Sequence, residues 1–532
     1  IYHMGREEKA DLILNRQAMA SHTFVTGSTG TGKSNAVYHL LDEITKDGRT
    51  SFLVVEPAKG EYKNVFGSRA DVKVFGTNPR ETPLLRINPF AFPQDIHILE
   101  HIDRLVEIFN ACWPMYAAMP AVLKDAIERS YQKVGWDLRN SESEKGVFPT
   151  FFDLLDILPG VIEESHYSKD TQSDYVGALC TRVKSLTNGI YGSVLCAEDA
   201  LTDEALFDRN VIVDLSRVGS METKSLLMGI LVMKLQEYRM CSSGMNSRLR
   251  HVTVLEEAHN LLRKTSAEQS QEGANLQGKS VEMLANAIAE MRTYGEGFII
   301  ADQAPGLLDM SVIRNTNTKI ILRLPDEEDR KLVGKSAALK EAQIDELSKL
   351  PLGVAAVYQN EWPEAVLCKI EAYPMPENAV YHKPSKMPHE INAEFVFGQL
   401  AAGKELEPLS VSEMEQLKRW LKRHEMMLKP EDGRYLEQVF AGGELDVAKT
   451  RKAVFDFFGG ISTVVDYCAA AEKSFTPRKE FLEQLQGQYG LKAAAADWVL
   501  NSVISMGMSL NPDAKAVDNL RTNFEQQGGR VL

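Results

Sequence analysis

The run Gly27-Ser28-Thr29-Gly30-Thr31-Gly32-Lys33-Ser34 carries the spacing G-x-x-x-x-G-K-[ST] in full. These residue types suit one chemistry, the cradling of nucleotide phosphates. Glycines let the backbone turn tightly, so that successive N–H groups face phosphate oxygens. The lysine reaches the β- and γ-phosphates, and the serine hydroxyl is a ligand for magnesium. Asn35 completes the candidate nucleotide-binding set. The run follows the apolar Phe24-Val25-Thr26 and opens a helical pattern. That context separates a phosphate loop from a chance glycine-rich turn, and the positive end of the helix adds to the field.

A phosphate loop needs acidic partners. Val252-Thr253-Val254-Leu255-Glu256-Glu257 is an apolar strand ending in two carboxylates. On a strand tip, Glu256 is expected to hold the magnesium side and Glu257 to polarise the attacking water. Asp214 also ends an apolar run, Val211-Ile212-Val213, and competes for the metal role. A third strand pattern, Gly297–Ala301, leads to Asp302 and Gln303. Gln303 is expected to sense the γ-phosphate and the water.

The elements that must position these groups alternate. Strand-like runs lie at Phe24–Thr26, Ser51–Glu56, Val72–Phe75, Asn210–Leu215, His251–Leu255, Gly297–Ala301 and Lys319–Leu324. Helical patterns such as Ser34–Lys46 and Glu222–Tyr238 fall between them, which predicts an α/β fold with a parallel sheet covered on both faces. Leu352–Tyr358 and Glu364–Ile370 read as a closing hairpin. The stretch 91–207 interrupts the alternation with long helical patterns (Asp95–Asn110, Pro120–Val134, Phe151–Leu158, Thr171–Leu186) and reads as a helical insertion. The core is then expected over 1–90 and 208–371. The proline-rich run Ala372–Glu390 reads as a linker. Residues 391–532 read as mainly helical, with candidates at Ser410–Met427, Leu445–Phe457 and Pro477–Gln488.

Composition bounds the rest. The chain has 532 residues, a formal charge of -14, 44% hydrophobic and 25% charged residues. That is ordinary globular composition, which excludes a mainly disordered, collagen-like or disulfide-stapled protein. No run approaches the roughly 20 apolar residues that span a bilayer, so no membrane partner is expected. The six cysteines form no C-x-x-C pair. Their scatter, with no apolar signal region near the N-terminus, points to a reducing, cytoplasmic setting. The sequence does not begin with Met, which leaves room for an upstream segment.

Several blocks in order resemble the HerA/FtsK group of phosphate-loop ATPases, and most closely HerA-type DNA translocases. They are His22–Gly27 leading into the phosphate loop, Glu56-Pro57-Ala58-Lys59-Gly60-Glu61-Tyr62, Arg86-Ile87-Asn88-Pro89-Phe90, Glu256–Leu261, Glu290–Gly297 and Ala301-Asp302-Gln303. The resemblance implies a RecA-like ATPase core using ATP and magnesium, working as a ring that is usually hexameric. ATP would sit between subunits and double-stranded DNA would thread the pore. It also implies an arginine supplied by the neighbouring subunit. Arg292 matches the family block for this role, with Arg314 and Arg323 as alternatives. Two departures stand out. The family's small β-barrel is not seen ahead of the core, and Ala304-Pro305 follows Gln303 where relatives often carry arginine.

Pore contacts with DNA are expected from loops after the strands. Leu262–Lys279 carries Arg263, Lys264 and Lys279; Pro57–Lys63 carries Lys59 and Lys63. Such phosphate contacts are independent of base sequence. No nuclease constellation is present, so cleavage would come from a separate nuclease or NADase-type effector, in antiviral defence or DNA end processing. The alternative is an ATP-switched scaffold that assembles and regulates an effector with little translocation.

Overall fold

A computed structural model of the chain describes all residues except 4–5, 8–9, 117, 144–145, 198–199, 266–272, 376–379, 384–395, 397–399, 401–416, 418–428, 441–445, 472–475, 490–492, 512 and 532. Two compact units result, residues 1–383 and 384–532.

The first unit is built on a nine-stranded sheet. In chain order its strands are β1 (Thr23–Thr26), β2 (Ser51–Glu56), β3 (Val72–Gly76), β4 (Asn210–Asp214), β5 (His251–Glu256), β6 (Glu296–Asp302), β7 (Thr318–Ile321), β8 (Val354–Gln359) and β9 (Val366–Lys369). Across the sheet the order is β9-β8-β7-β1-β6-β5-β2-β4-β3. The strands from β7 to β3 in that order run parallel, and β8 and β9 add an antiparallel hairpin at one edge.

Alternation decides which face each residue meets. Phe24, Leu53, Val55, Val211 and Val213 enter one core, while Val25, Phe52, Val54 and Ile212 enter the other. Helices α1 (Lys33–Thr45) and α2 (Tyr62–Phe66) cover the second face with Val37, Leu41, Val65 and Phe66. The first face is covered by α3 (Ile98–Cys112), α4 (Met119–Lys133), α5 (Phe151–Glu164), α6 (Met221–Ser242) and α7 (Gly273–Glu290). On α3, Ile98, Ile102, Leu105 and Phe109 recur at helical spacing and are all fully buried. The helices between β3 and β4 thus share one continuous core with the sheet.

The pattern at 171–186 lies within an unbroken helical run, Lys169–Tyr175 and Thr181–Thr187 with a π-helical turn over Val176–Cys180 between them. Other local expectations are corrected. The loop expected over 262–279 ends early, because α7 is already under way at Gly273 and places Lys279 on a helix. The first part of the expected linker is docked. The Asn35 amide donates to Glu371 O at 2.8 Å, and Tyr373 N donates to Asn35 Oδ1 at 2.7 Å. Tyr381 N donates to Asn64 Oδ1 at 3.0 Å, so Glu371 and Tyr373 meet α1 and Tyr381 meets Asn64 of α2.

The second unit contains helices Pro430–Phe440, Val447–Phe457, Gly460–Ala471, Pro477–Tyr489, Ala493–Leu510 and Ala514–Gln526. Its separate core includes Leu436, Val454, Tyr467, Leu500, Ile504 and Phe524. The helix expected over 410–427 falls outside the described residues, apart from Leu417. No single described helix is long and apolar enough to cross a membrane.

Candidate nucleotide site

Strand register places the expected groups along one edge. Thr26 pairs with Asp302, Ala301 with Glu256, and Glu56 with Asp214. The carboxyl ends of β1, β6, β5, β2 and β4 therefore lie side by side and present Asp302, Glu256, Glu56 and Asp214 there. Ligands of open parallel sheets bind at this end of the strands.

The glycine-rich loop joins β1 to α1 over this edge. Gly30 and Gly32 have φ of 76° and 107°, in the region that favours glycine. Gly27 is constrained by space instead: a Cβ there would lie 2.7 Å from Thr31 Oγ1 and 2.8 Å from Leu322 Cβ. Ser28 N donates to Arg323 O at 2.9 Å, which ties the loop to the end of β7. Lys33 is nearly buried and its Nζ donates to Gly27 O at 2.7 Å and Ser28 O at 3.3 Å. Burial lowers its pKa, so an arriving phosphate would restore a counter-charge.

A cavity of about 220 Å³ opens beside the loop, walled by Thr29, Gly30, Gly32, Lys33, Ser34, Asn35, Glu56, Ala58, Lys59, Tyr62, Glu256, Glu257 and Gln303. Two tyrosines hold the expected metal ligands. Tyr62 Oη donates to Glu256 Oε1, and Tyr38 is hydrogen-bonded with Ser34. The tyrosine rings meet edge to face at 4.9 Å. Burial pushes the Glu256 carboxyl up to about 7, against the Tyr62 hydrogen bond. Glu56 is likewise pushed up to about 7 by burial, although it accepts the N–H groups of Glu61 and Tyr62 at 2.7 and 3.1 Å. A buried acid with no ion pair among the described residues, beside a serine hydroxyl and a phosphate loop, fits a magnesium ion, whose positive charge would offset the buried acids more closely than Lys33 and Lys59 do.

Asp214, the competing metal candidate, is already engaged. Lys63 Nζ lies 2.5 Å from its Oδ2, and Ser216 N donates to Oδ1 at 2.9 Å. Burial opposes its ionisation, yet these partners hold its pKa below the ordinary value.

Glu257 caps the short turn Ala258–Asn260 with φ 47° and ψ 51°, a left-handed conformation that strains a residue with a side chain. A chain of hydrogen bonds runs from it to the phosphate loop. Gln303 Nε2 donates to Glu257 Oε2 at 3.0 Å, and Thr29 Oγ1 donates to Gln303 Oε1 at 2.7 Å. On the other side Glu257 Oε2 lies 3.5 Å from His259 Nδ1, and that nitrogen is 2.9 Å from Asp302 Oδ2. Burial raises the Glu257 pKa, as does the charge of Asp302, while His259 and Lys33 oppose the rise.

The structure brings together the loop residues, Glu256, Glu257, Gln303 and Lys59. Arg292 is elsewhere. With Arg314 it lines a polar cavity of about 590 Å³ that includes Ser21, Glu290, Asn317 and Asn360. Arg292 precedes β6, whereas the phosphate loop follows β1, a parallel neighbour. The seven residues of β6 separate the two positions by about 20 Å at ~3.3 Å each. Arg323 lies beside the phosphate loop, with its side chain exposed. Arg263 and Lys264 are exposed on a loop bridged to Leu307–Leu308, where Lys264 N donates to Leu307 O at 2.8 Å; Lys279 is exposed on α7.

Sequence reasoning missed the tasks of Tyr38, Tyr62, Glu56, His259 and Asp302. All but Tyr38 stand in quoted blocks, so the signal was present, but their pairing joins segments far apart in the chain; Tyr62 and Glu256 are 194 positions apart.

The family described as "Helicase HerA, central domain" matches residues 3–234. A probable helicase of Methanocaldococcus jannaschii is 23% identical over 390 residues, 68% of each chain. The DNA double-strand break repair helicase HerA of Sulfolobus acidocaldarius is 24% identical over 367 residues, 67% of this chain and 66% of the relative. The chain thus spans about two thirds of the length of these relatives. Among solved structures, VirB4 of Thermoanaerobacter pseudethanolicus aligns with a TM-score of 0.51 at 19% identity, covering 66% of this chain and 90% of VirB4. The bacterial conjugative coupling protein TrwB aligns with a TM-score of 0.50 at 14% identity, covering 69% and 90%. The chain is thus similar to HerA helicases in sequence and to VirB4 in fold, and with its parallel sheet and phosphate loop it is an ATPase.

Proposed function

We propose that this HerA/FtsK-type ATPase is a ring motor, hexameric in its working form, that drives double-stranded DNA through its pore. In this reading it serves a separate nuclease or NADase-type effector, in antiviral defence or DNA end processing. One observation carries the ring. The cations on the wall of the phosphate cavity are Lys33 and Lys59, while Arg292 stands at the opposite ends of the strands. An arginine so placed cannot reach its own nucleotide and is free to reach that of a neighbour. A cation arriving in trans makes hydrolysis depend on assembly, by about 10³–10⁵-fold in comparable enzymes.

The remaining roles follow from the cavity. Ser34 and Glu256 would hold magnesium, which when bound neutralises phosphate charge as the leaving group departs. Lys33 would bind the β- and γ-phosphates, Glu257 would accept the proton of the attacking water, and Gln303 would link that water to the phosphate loop through Thr29. A TrwB structure of TM-score 0.50 holds the ATP analogue ADPNP, which supports the nucleotide. The relatives named as DNA double-strand break repair helicases support the DNA substrate. Arg263 and Lys264 are the cations best exposed for duplex phosphates, ahead of Lys279 on its helix and of Lys59, which faces the nucleotide cavity.

The second reading, an ATP-switched scaffold, is favoured by one observation: residues 384–532 form a unit with a helical core of its own, suited to docking an effector. Native mass and ATP turnover with and without duplex DNA decide between them. Rings with turnover stimulated several-fold by duplex fit the motor. Turnover indifferent to DNA but altered by a bound effector fits the scaffold. A fully active monomer contradicts both.

A further inference from the structure

Glu257 carries the attacking-water role in the reading above, yet its strand does not aim it. Its backbone has left the strand and entered a left-handed turn. Two side chains reach its carboxylate: Gln303 at 3.0 Å and His259 at 3.5 Å. Gln303 is shared with the phosphate loop through Thr29 and so is drawn upon when phosphate binds. His259 is held from the other side. Its backbone N and its Nδ1 both donate to one oxygen, Asp302 Oδ2, at 2.8 and 2.9 Å. Asp302 is fully buried at the tip of β6, and its other oxygen accepts Ala304 N at 3.0 Å. The imidazole is therefore pinned to the sheet at two points, with Nδ1 facing two carboxylates.

We propose that His259, clamped by Asp302, is the positioning residue for Glu257; the inference rests on the role assigned to Glu257 above. Glu257 and Asp302 repel each other across this gap, and an imidazolium between them turns repulsion into a bridge. The hydrogen bond to Asp302 favours that charged form and raises the His259 pKa, with Glu257 adding to the rise and burial and Arg263 opposing it. Nδ1 must carry hydrogen to serve Asp302, so the titrating proton is the one on Nε2. Losing it removes the charge while the Nδ1–H bond to Asp302 remains. The two carboxylates then face each other with less compensation, and Glu257 swings from the water.

The test is single-turnover ATP hydrolysis by the assembled protein, across pH, with nucleotide affinity measured alongside. His259→Gln should slow hydrolysis by about tenfold to a hundredfold, the scale set by misplacing a reacting group, with affinity within threefold. The unmodified protein should show a limb that falls on the alkaline side of the ordinary histidine range, and the variant should lack it. Asp302→Asn should also flatten that limb. Three results overturn the proposal. One is His259→Gln with the normal rate and the normal limb while Glu257→Gln is slow, which leaves the Glu257 reading standing. Another is an unmodified protein with no alkaline limb, which decides even where the variants fail to fold. The third is tight zinc binding without nucleotide that His259→Gln abolishes, since Glu257, His259 and Asp302 have ligand atoms within 4.8 Å of one another. If Glu257→Gln hydrolyses normally, the Glu257 role itself is wrong, and the inference falls with it.

Discussion

Glu256 and Glu296 stand on neighbouring strands at opposite ends of the same sheet, and the fold treats them differently. Glu296 opens β6 and is fully buried, but it is surrounded by partners. Arg239 Nε donates to it at 2.9 Å, His251 Nδ1 lies 2.8 Å away and Thr253 Oγ1 donates at 2.8 Å. Burial would raise its pKa, yet His251 and Arg239 hold it below the ordinary value. Glu256 ends β5 and is almost as buried, but its partner is the hydroxyl of Tyr62, and burial leaves it raised to about 7. One end of the sheet closes its charge network within the chain. The other leaves buried acids short of a cation beside a phosphate loop. Charge left uncompensated in a cleft is the physical mark of a site that awaits a ligand.

The largest effect expected from breaking this contrast is at the open end. Glu257→Gln should cut single-turnover hydrolysis by about 10²–10⁴-fold, the range for removing a general base, while nucleotide still binds. At the closed end, Glu296→Ala should leave turnover per folded molecule unchanged but cost about 1–3 kcal/mol by leaving buried groups unsatisfied, since Arg239 keeps Asp208 at 2.7 Å but loses one of its two carboxylates and His251 and Thr253 lose theirs; the readout is a lower urea midpoint. The same network gives a pH dependence. Burial lowers the His251 pKa, so the unfolded chain takes up this proton first as pH falls below about 6.5. Glu296, with its folded pKa depressed, adds stability above its unfolded value that is lost in more acid solution. This network therefore contributes less as pH drops from about 7 towards 5 and less again beyond, while Glu56 and Glu256, raised to about 7, act in the opposite direction over the same range. The smallest effect belongs to Tyr62→Phe, which frees Glu256 from its hydroxyl. The magnesium concentration for half-maximal turnover should shift by less than about tenfold, the scale of one hydrogen bond to a charged group. A loss of turnover at saturating magnesium would instead make Tyr62 part of the reaction.

The open end was largely legible in the sequence, because its parts are local. A phosphate loop is one contiguous turn between a strand and a helix, and the acids of β5 are adjacent residues. Strand patterns at 51–56 and 210–214 stand out because each is apolar on both faces, as a doubly covered sheet requires. Other features were not legible. The placement of β1 between β6 and β7 is set by pairing across nearly 300 residues. The Tyr62–Glu256 and His259–Asp302 contacts have the same origin, since each joins the ends of different strands. The closed network was missed because Arg239 lies on a long helix where arginine usually faces solvent. Residues 372–390 read as a linker from their prolines, yet Asn35 and Asn64 hold Tyr373 and Tyr381 by hydrogen bonds. Helix α7 begins earlier than its polar residues implied, because Val281, Leu284, Ala285 and Ile288 bury one stripe of it.

In the proposed ring, the nucleotide of one copy meets an arginine of the next. Copies carrying Lys33→Ala bind no productive nucleotide but keep Arg292; copies carrying Arg292→Ala keep the nucleotide site and lose the arginine. Each alone should be nearly inactive, with nucleotide binding intact in the second. Mixing them before assembly and measuring ATP turnover should restore activity well above the sum of the two. Mixed assemblies that stay as inactive as their parts, or Arg292→Ala protein that turns over ATP at the full rate alone, would mean that no arginine arrives from a neighbour.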